Sequence, residues 1–243
     1  MKVGVIATLA IMIAACSGES KPFYSYQIYQ NPGVPEYGLI DRQGPLVVVL
    51  ASDIDQTLTG RDTTPIAQEL ADVGFSVVSL DLPSHHPGDE PHALSGWRSR
   101  IDAGERGLFT AFCRDLTRVL DDLKATRVSA VGISRGSYLT AICAASDARL
   151  NSLALLAPVT DLRRLYEFGG AAVDPNIFGL AQYAPLLMHR NVLIRISRND
   201  DRVGTDAAVA FAESIGAELQ LVDTIGHDTA EDGSTVRWLL THR

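Results

Sequence analysis

Short, mostly apolar runs recur along the chain at 46–50, 75–80, 128–133, 153–156, 192–196 and 218–222. Leu46-Val47-Val48-Val49-Leu50 is apolar at every position, the mark of a strand buried on both faces rather than one. Between most of these runs lie segments with helical spacing, at 65–73, 108–123, 135–145, 206–215 and 235–240. Fully buried strands alternating with amphipathic helices predict an α/β fold, a mainly parallel central sheet flanked by helices. Ahead of this pattern, extended stretches at 23–30 and 36–42 flank Asn31-Pro32-Gly33-Val34-Pro35, which predicts an antiparallel hairpin. The one long interruption late in the chain, 160–190, leaves room for one or two short helices and no large lid. No internal repeat is visible, and 23–243 reads as one domain.

The composition supports that reading. Of 243 residues, 46% are hydrophobic and 21% charged, enough apolar surface to form a core and unlike a disordered or low-complexity chain. A formal charge of −8, with no basic run, argues against nucleic-acid binding, which needs a basic stripe to neutralise phosphates.

Residues 1–15 predict a signal peptide: Lys2, a short apolar stretch, then small residues before a break. The stretch is too short to span a bilayer, which takes about 20 residues. Ile13-Ala14-Ala15-Cys16 resembles the bacterial lipobox, which implies lipidation at Cys16, palmitate among the acyl chains, and a membrane anchor without a spanning helix. Residues 16–22 then read as a tether. Ser17 after the cysteine resembles lipoproteins sorted to the outer membrane, on its periplasmic face. The other cysteines, Cys113 and Cys143, lie in apolar helical stretches. Export permits a bridge, but spacing alone does not bring two Cα atoms within reach, and buried free thiols are the simpler expectation.

Ligands of such sheets sit at the carboxyl ends of the strands, so functional residues are sought there. Gly132-Ile133-Ser134-Arg135-Gly136 follows one buried strand and opens a helix, the setting in which G-x-S-x-G marks a nucleophile. A sharp turn lifts the Ser134 hydroxyl off the sheet, and side chains two positions either way would collide with strand or helix. Serine needs a base, and the base an orienting acid. Of six histidines, His227 alone follows the last strand at the ligand-bearing edge; His242 is near the end, expected in solvent, and His189 precedes a strand. The acid is expected after 192–196, where Asp200 and Asp201 compete and neighbours on a turn are not separable by position.

Together these residues resemble the α/β-hydrolases, and among them the compact bacterial hydrolases related to dienelactone hydrolase and to prolyl oligopeptidase catalytic domains. The resemblance runs from about Pro45 onward, through Ala71-Asp72-Val73-Gly74-Phe75, the Ser134 turn, Leu156-Ala157-Pro158 and the acid and histidine turns. It implies the α/β-hydrolase fold, a Ser134–Asp200–His227 triad and no cofactor. It selects Asp200 because the family's acid usually stands three residues before a valine, here Val203. It also makes Arg202 a possible substrate contact. One departure stands out: relatives follow the first core strand with His-Gly, whereas here Ala51-Ser52-Asp53-Ile54 does. By position the backbone N–H groups of Arg135 and Asp53 would form the oxyanion hole. A carboxylate beside a developing oxyanion is unfavourable unless it points away. The hole would otherwise be weak, shift to Ile54, or lean on the charge of Arg135.

The segment 83–92 holds His85, His86 and His92 beside Asp89 and Glu90, but without helical ligand spacing it predicts no metal site. With Trp97 it is expected to form part of the pocket wall. The leading expectation is a serine hydrolase cleaving a carboxylester, lactone or thioester of a small acyl substrate. A serine peptidase of the prolyl oligopeptidase type, a catalytically weak tethered binding lipoprotein and acyl transfer to an acceptor other than water are the alternatives.

Overall fold

The inner strands of the central sheet carry apolar residues at consecutive positions because their two faces feed two separate cores. In a computed structural model that describes residues 23–60, 65–169, 174, 178–229 and 233–242, Val48, Leu50, Ala130, Leu153, Leu155 and Ile194 point into one core. Their neighbours Val47, Val49, Val131, Ala154, Leu156 and Leu193 point into the other. Burying each such valine or leucine contributes roughly 1.5–3 kcal/mol. The predicted leader and tether, Cys16 included, lie outside the described residues.

Eight strands form the sheet: β1 (Gln27–Tyr29), β2 (Tyr37–Ile40), β3 (Leu46–Leu50), β4 (Ser76–Ser79), β5 (Val128–Ile133), β6 (Leu150–Leu156), β7 (Asn191–Ser197) and β8 (Glu218–Val222). Their order is β1-β2-β4-β3-β5-β6-β7-β8. The expected hairpin is present as β1 and β2, antiparallel to each other and, through β2, to β4. All pairings from β4 through β8 are parallel. The chain leaves β3 toward β4 and returns on its other side as β5, so the winding reverses beside β3. The crevice at such a reversal is where doubly wound sheets bind ligands.

Helices α1 (Ile54–Thr59), α2 (Ile66–Asp72) and α8 (Ser234–His242) cover one face, contributing Ile54, Leu58, Ile66, Leu70, Val236 and Leu239 to its core. The other face carries α3 (Ala93–Asp102), α4 (Leu108–Asp122), α5 (Arg135–Ser146) and α7 (Thr205–Ile215). The interruption at 160–190 forms 3-10 turns at Leu162–Arg164, Tyr166–Phe168 and Leu180–Tyr183, with a single-turn α6 (Ala184–Leu187).

Three expectations are corrected. Cys113 and Cys143 are not free thiols but a disulfide, with Cα atoms 4.9 Å apart. Helices α4 and α5 pack side by side, and each cysteine lies on the stripe facing the other helix. Trp97 is no pocket wall: it is fully buried in α3, edge-on to Phe109 and near Tyr138. His242 stacks on Trp238, with ring centroids 4.3 Å apart.

Candidate active site

The turn after β5 is built around a backbone only a tight fit sustains. Ser134 has φ 54° and ψ −114°, in a region costly for a residue with a Cβ, at roughly 1–3 kcal/mol. The flanking glycines permit it. A Cβ at Gly136 would sit 1.8 Å from the Leu50 carbonyl oxygen, and one at Gly132 2.4 Å from the Cα of Ser137. The Ser134 N–H donates to the Leu156 carbonyl (2.8 Å), tying the turn to β6. Such overdetermined strain holds the hydroxyl at the sheet's carboxyl edge.

Two further strand ends deliver the partners. The Ser134 hydroxyl lies 2.8 Å from His227 Nε2, and His227 Nδ1 lies 2.7 Å from Asp200 Oδ2. An ionised carboxylate only accepts, so the proton sits on Nδ1, leaving Nε2 as the acceptor for the serine O–H. Asp200, in the turn after β7, has a side chain with no solvent exposure. A buried carboxylate demands hydrogen bonds, and its Oδ1 accepts them from the N–H groups of Arg202 (3.0 Å) and Val203 (3.1 Å). The Asp200 N–H in turn donates to Thr205 Oγ1 (3.0 Å). Asp201 is exposed. The structure thus brings Ser134, His227 and Asp200 together and leaves Asp201 out.

The departure after β3 resolves geometrically. Asp53 caps α1, its carboxylate accepting the Gln56 N–H at 2.8 Å, so the side chain is occupied at the helix start. Burial, aided by Asp81 and Asp55, raises the pKa of this carboxyl from its usual value, while the cap bond works against the rise. The Ile54 N–H donates to Asp81 Oδ1 (2.7 Å) and is unavailable for a shifted hole. The Asp53 N–H has no acceptor among the described residues. Arg135 is the first residue of α5, whose opening N–H groups lack intrahelical partners.

Arg202 is placed differently from a free substrate contact. Its Nη2 donates to Glu167 Oε1 (2.6 Å) and its guanidinium stacks over Tyr166 at 4.5 Å. It thereby joins the acid turn to the 3-10 turn Tyr166–Phe168, which Arg98 holds from the other side through the Glu167 carbonyl (3.2 Å). Sequence reasoning missed Glu167: a lone acid in an irregular segment carries no pattern. In the 83–92 segment, His85 Nδ1 bonds the Pro83 carbonyl and His86 Nδ1 meets Asp81. Among the described residues no group of three or more His, Cys, Asp or Glu side chains is arranged to hold a metal ion, and no helix is long and apolar enough to cross a membrane.

No family model matches the chain, and no curated protein matches it in sequence. Solved structures match it in fold. The chain is similar to the Pyrococcus furiosus esterase Pf2001, at 16% identity over 90% of each chain with a TM-score of 0.64. It is similar to an acylaminoacyl peptidase of Pyrococcus horikoshii at 13% identity and TM-score 0.65, covering 91% of this chain but 41% of that one. It is also similar to the thioesterase domain from the curacin biosynthetic pathway, at 14% identity and TM-score 0.60, over 89% of this chain and 98% of that one. At these identities the likeness is one of fold, and the fold is that of the α/β-hydrolases.

Proposed function

We propose that the chain is a serine hydrolase that cleaves carboxylic esters of small acyl substrates through an acyl-enzyme. The observation that carries this reading is the unbroken hydrogen-bonded series Ser134–His227–Asp200 at the reversal point of the sheet. Ser134 Oγ attacks the acyl carbonyl as His227 Nε2 takes its proton. The negative oxygen that forms is held by the N–H groups of Arg135 and Asp53. The bond to the leaving alcohol then breaks, and His227 returns the proton to it. Water repeats the sequence on the acyl-enzyme and frees Ser134. Asp200 holds the tautomer and stabilises the imidazolium. Each hole donor contributes about 3–4 kcal/mol in serine hydrolases, so an engaged Asp53 side chain with a free N–H supports activity rather than its loss.

Similarity in fold to an esterase and a thioesterase is consistent with this reading. The reading includes export and a lipid anchor at Cys16. The Cys113–Cys143 bridge supports export, since disulfides persist in oxidising compartments.

The test is turnover of para-nitrophenyl esters of increasing acyl length by a chain beginning after Cys16. Saturable hydrolysis is expected, falling about 10³- to 10⁶-fold in Ser134→Ala. Equal rates in wild type and a folded Ser134→Ala variant would overturn it.

A further inference from the structure

The segment between β6 and β7 meets the turn that carries the triad acid through two ion pairs, and the two differ in burial. In the first, Arg164 Nη1 and Nη2 donate to Asp206 Oδ1 (2.8 Å) and Oδ2 (2.9 Å) at the start of α7. These side chains are 41% and 74% exposed, and an ion pair in water contributes little. In the second, Arg202 Nη2 donates to Glu167 Oε1 (2.6 Å), with side chains 28% and 11% exposed. Taking two charges out of water costs much of what their attraction returns, so the best-attested use of a buried pair is to fix register. Glu167 fits that use. Its Oε2 is shielded from water with no hydrogen bond, and among the described residues Arg202 alone donates to Oε1.

Arg202 is tied at both ends. Its backbone N–H donates to Asp200 Oδ1 (3.0 Å), while the other carboxylate oxygen, Oδ2, faces His227 Nδ1 at 2.7 Å. Its guanidinium is held by Glu167 and stacks on Tyr166. The 3-10 turn that supplies both residues is itself fixed, because Arg98 of α3 donates to the Glu167 and Gly169 carbonyls (3.2 and 3.3 Å). An unbroken series of hydrogen bonds therefore runs from α3 through Glu167, Arg202 and Asp200 to His227 and Ser134.

Resting on the serine-hydrolase reading, we infer that Glu167 is a positioning residue for the triad. It holds Arg202 so that the Arg202 N–H keeps the Asp200 carboxylate turned toward His227. Without Glu167 the guanidinium swings free and the turn after Asp200 loosens. The carboxylate then loses one of the three hydrogen bonds that orient it. Misplacing a catalytic group by about 1 Å costs up to about 100-fold in rate. An amide in place of the acid costs about 10⁴-fold, which is the ceiling for any effect carried through Asp200.

The test measures para-nitrophenyl ester turnover in Glu167→Ala, Glu167→Gln, Arg202→Met and Arg164→Met, each checked for folding by thermal melting. Asp200 serves both attack steps, so kcat is expected to fall about 10- to 100-fold in Glu167→Ala and in Arg202→Met, with KM within about twofold. Glu167→Gln still presents an oxygen to the guanidinium and recovers part of the loss. Arg164→Met stays within about twofold of wild type. Adding Glu167→Ala to Arg202→Met or to Asp200→Asn changes kcat by less than about twofold, because the link is already broken. Where Glu167→Ala does not fold, the same cycles are run with Glu167→Gln, expected to lose about threefold in wild type and nothing in the two backgrounds. A loss that adds in full in either background, an equal loss in Arg164→Met, or a change in KM alone would each overturn the proposal. Glu167 also acts electrostatically on Arg135, and a loss carried that way would persist in Asp200→Asn. The link is read without turnover from the downfield NMR resonance of the His227 Nδ1 proton, assigned by its absence from His227→Ala. That resonance is expected to shift or broaden in Glu167→Ala and not in Arg164→Met; an unmoved resonance overturns the proposal. A wild type that hydrolyses no ester, with the resonance still responding to Glu167→Ala, would sink the hydrolase reading and leave the positioning role standing.

Discussion

At the scale of residues, Asp200 and Asp201 are one peptide apart and differ in everything around them. Asp200 has a fully buried side chain that accepts three hydrogen bonds, and Asp201 faces water. Asp200→Asn keeps the shape but offers the histidine an amide, so the wrong tautomer is stabilised and kcat is expected to fall about 10⁴-fold. Asp201→Asn removes only an exposed charge, and kcat is expected to stay within about twofold. Steady-state kinetics of the two variants decide it; the larger loss in Asp201→Asn would contradict the assignment. Ser134 was legible because its turn has a steric grammar that the glycines at 132 and 136 obey. The choice between the two acids was not legible from spacing. It depends on which carboxylate meets the N–H groups of Arg202 and Val203, a property of the turn's path in space. Asp53 was legible as an oddity, but only the cap bond to Gln56 shows where its charge goes.

At the scale of elements, the strands were read well because burial on both faces leaves an uninterrupted apolar signature. Helices α1 and α3 were missed. Helix α3 buries only Leu94, Gly96 and Trp97 of ten residues, too thin a stripe to register as periodic, and it contains a glycine. The disulfide was undervalued for a related reason: whether α4 and α5 lie side by side is a tertiary fact. The bridge closes a loop with its ends 30 residues apart and fastens the helix that begins at Arg135 to its neighbour. Replacing both cysteines with alanine is expected to lower unfolding free energy by about 2–4 kcal/mol, read as a lower denaturant midpoint. A midpoint unchanged from the oxidised wild type would mean that the bridge contributes nothing to stability.

At the scale of the molecule, sheet order determines where chemistry is possible. Winding reverses beside β3, so the residues after β3 and β5 share one crevice, and those after β7 and β8 close it from the side. Alternating strands and helices announce this architecture but not the strand order, which rests on crossovers that leave no local trace. The proposed anchor is tested at the same scale: the chain beginning at Met1 is expected in the membrane fraction bearing labelled palmitate, and its Cys16→Ala variant in the soluble fraction without it. A Cys16→Ala chain that stays membrane-bound and labelled would contradict the anchor. The central claim, that Ser134 is an activated nucleophile, is tested most directly with a fluorophosphonate probe on a chain beginning after Cys16, with peptide mapping. The account predicts a single adduct on the peptide containing Ser134, absent from Ser134→Ala and strongly reduced in His227→Ala. A folded wild-type protein that takes up no probe, or takes it up elsewhere, would contradict it.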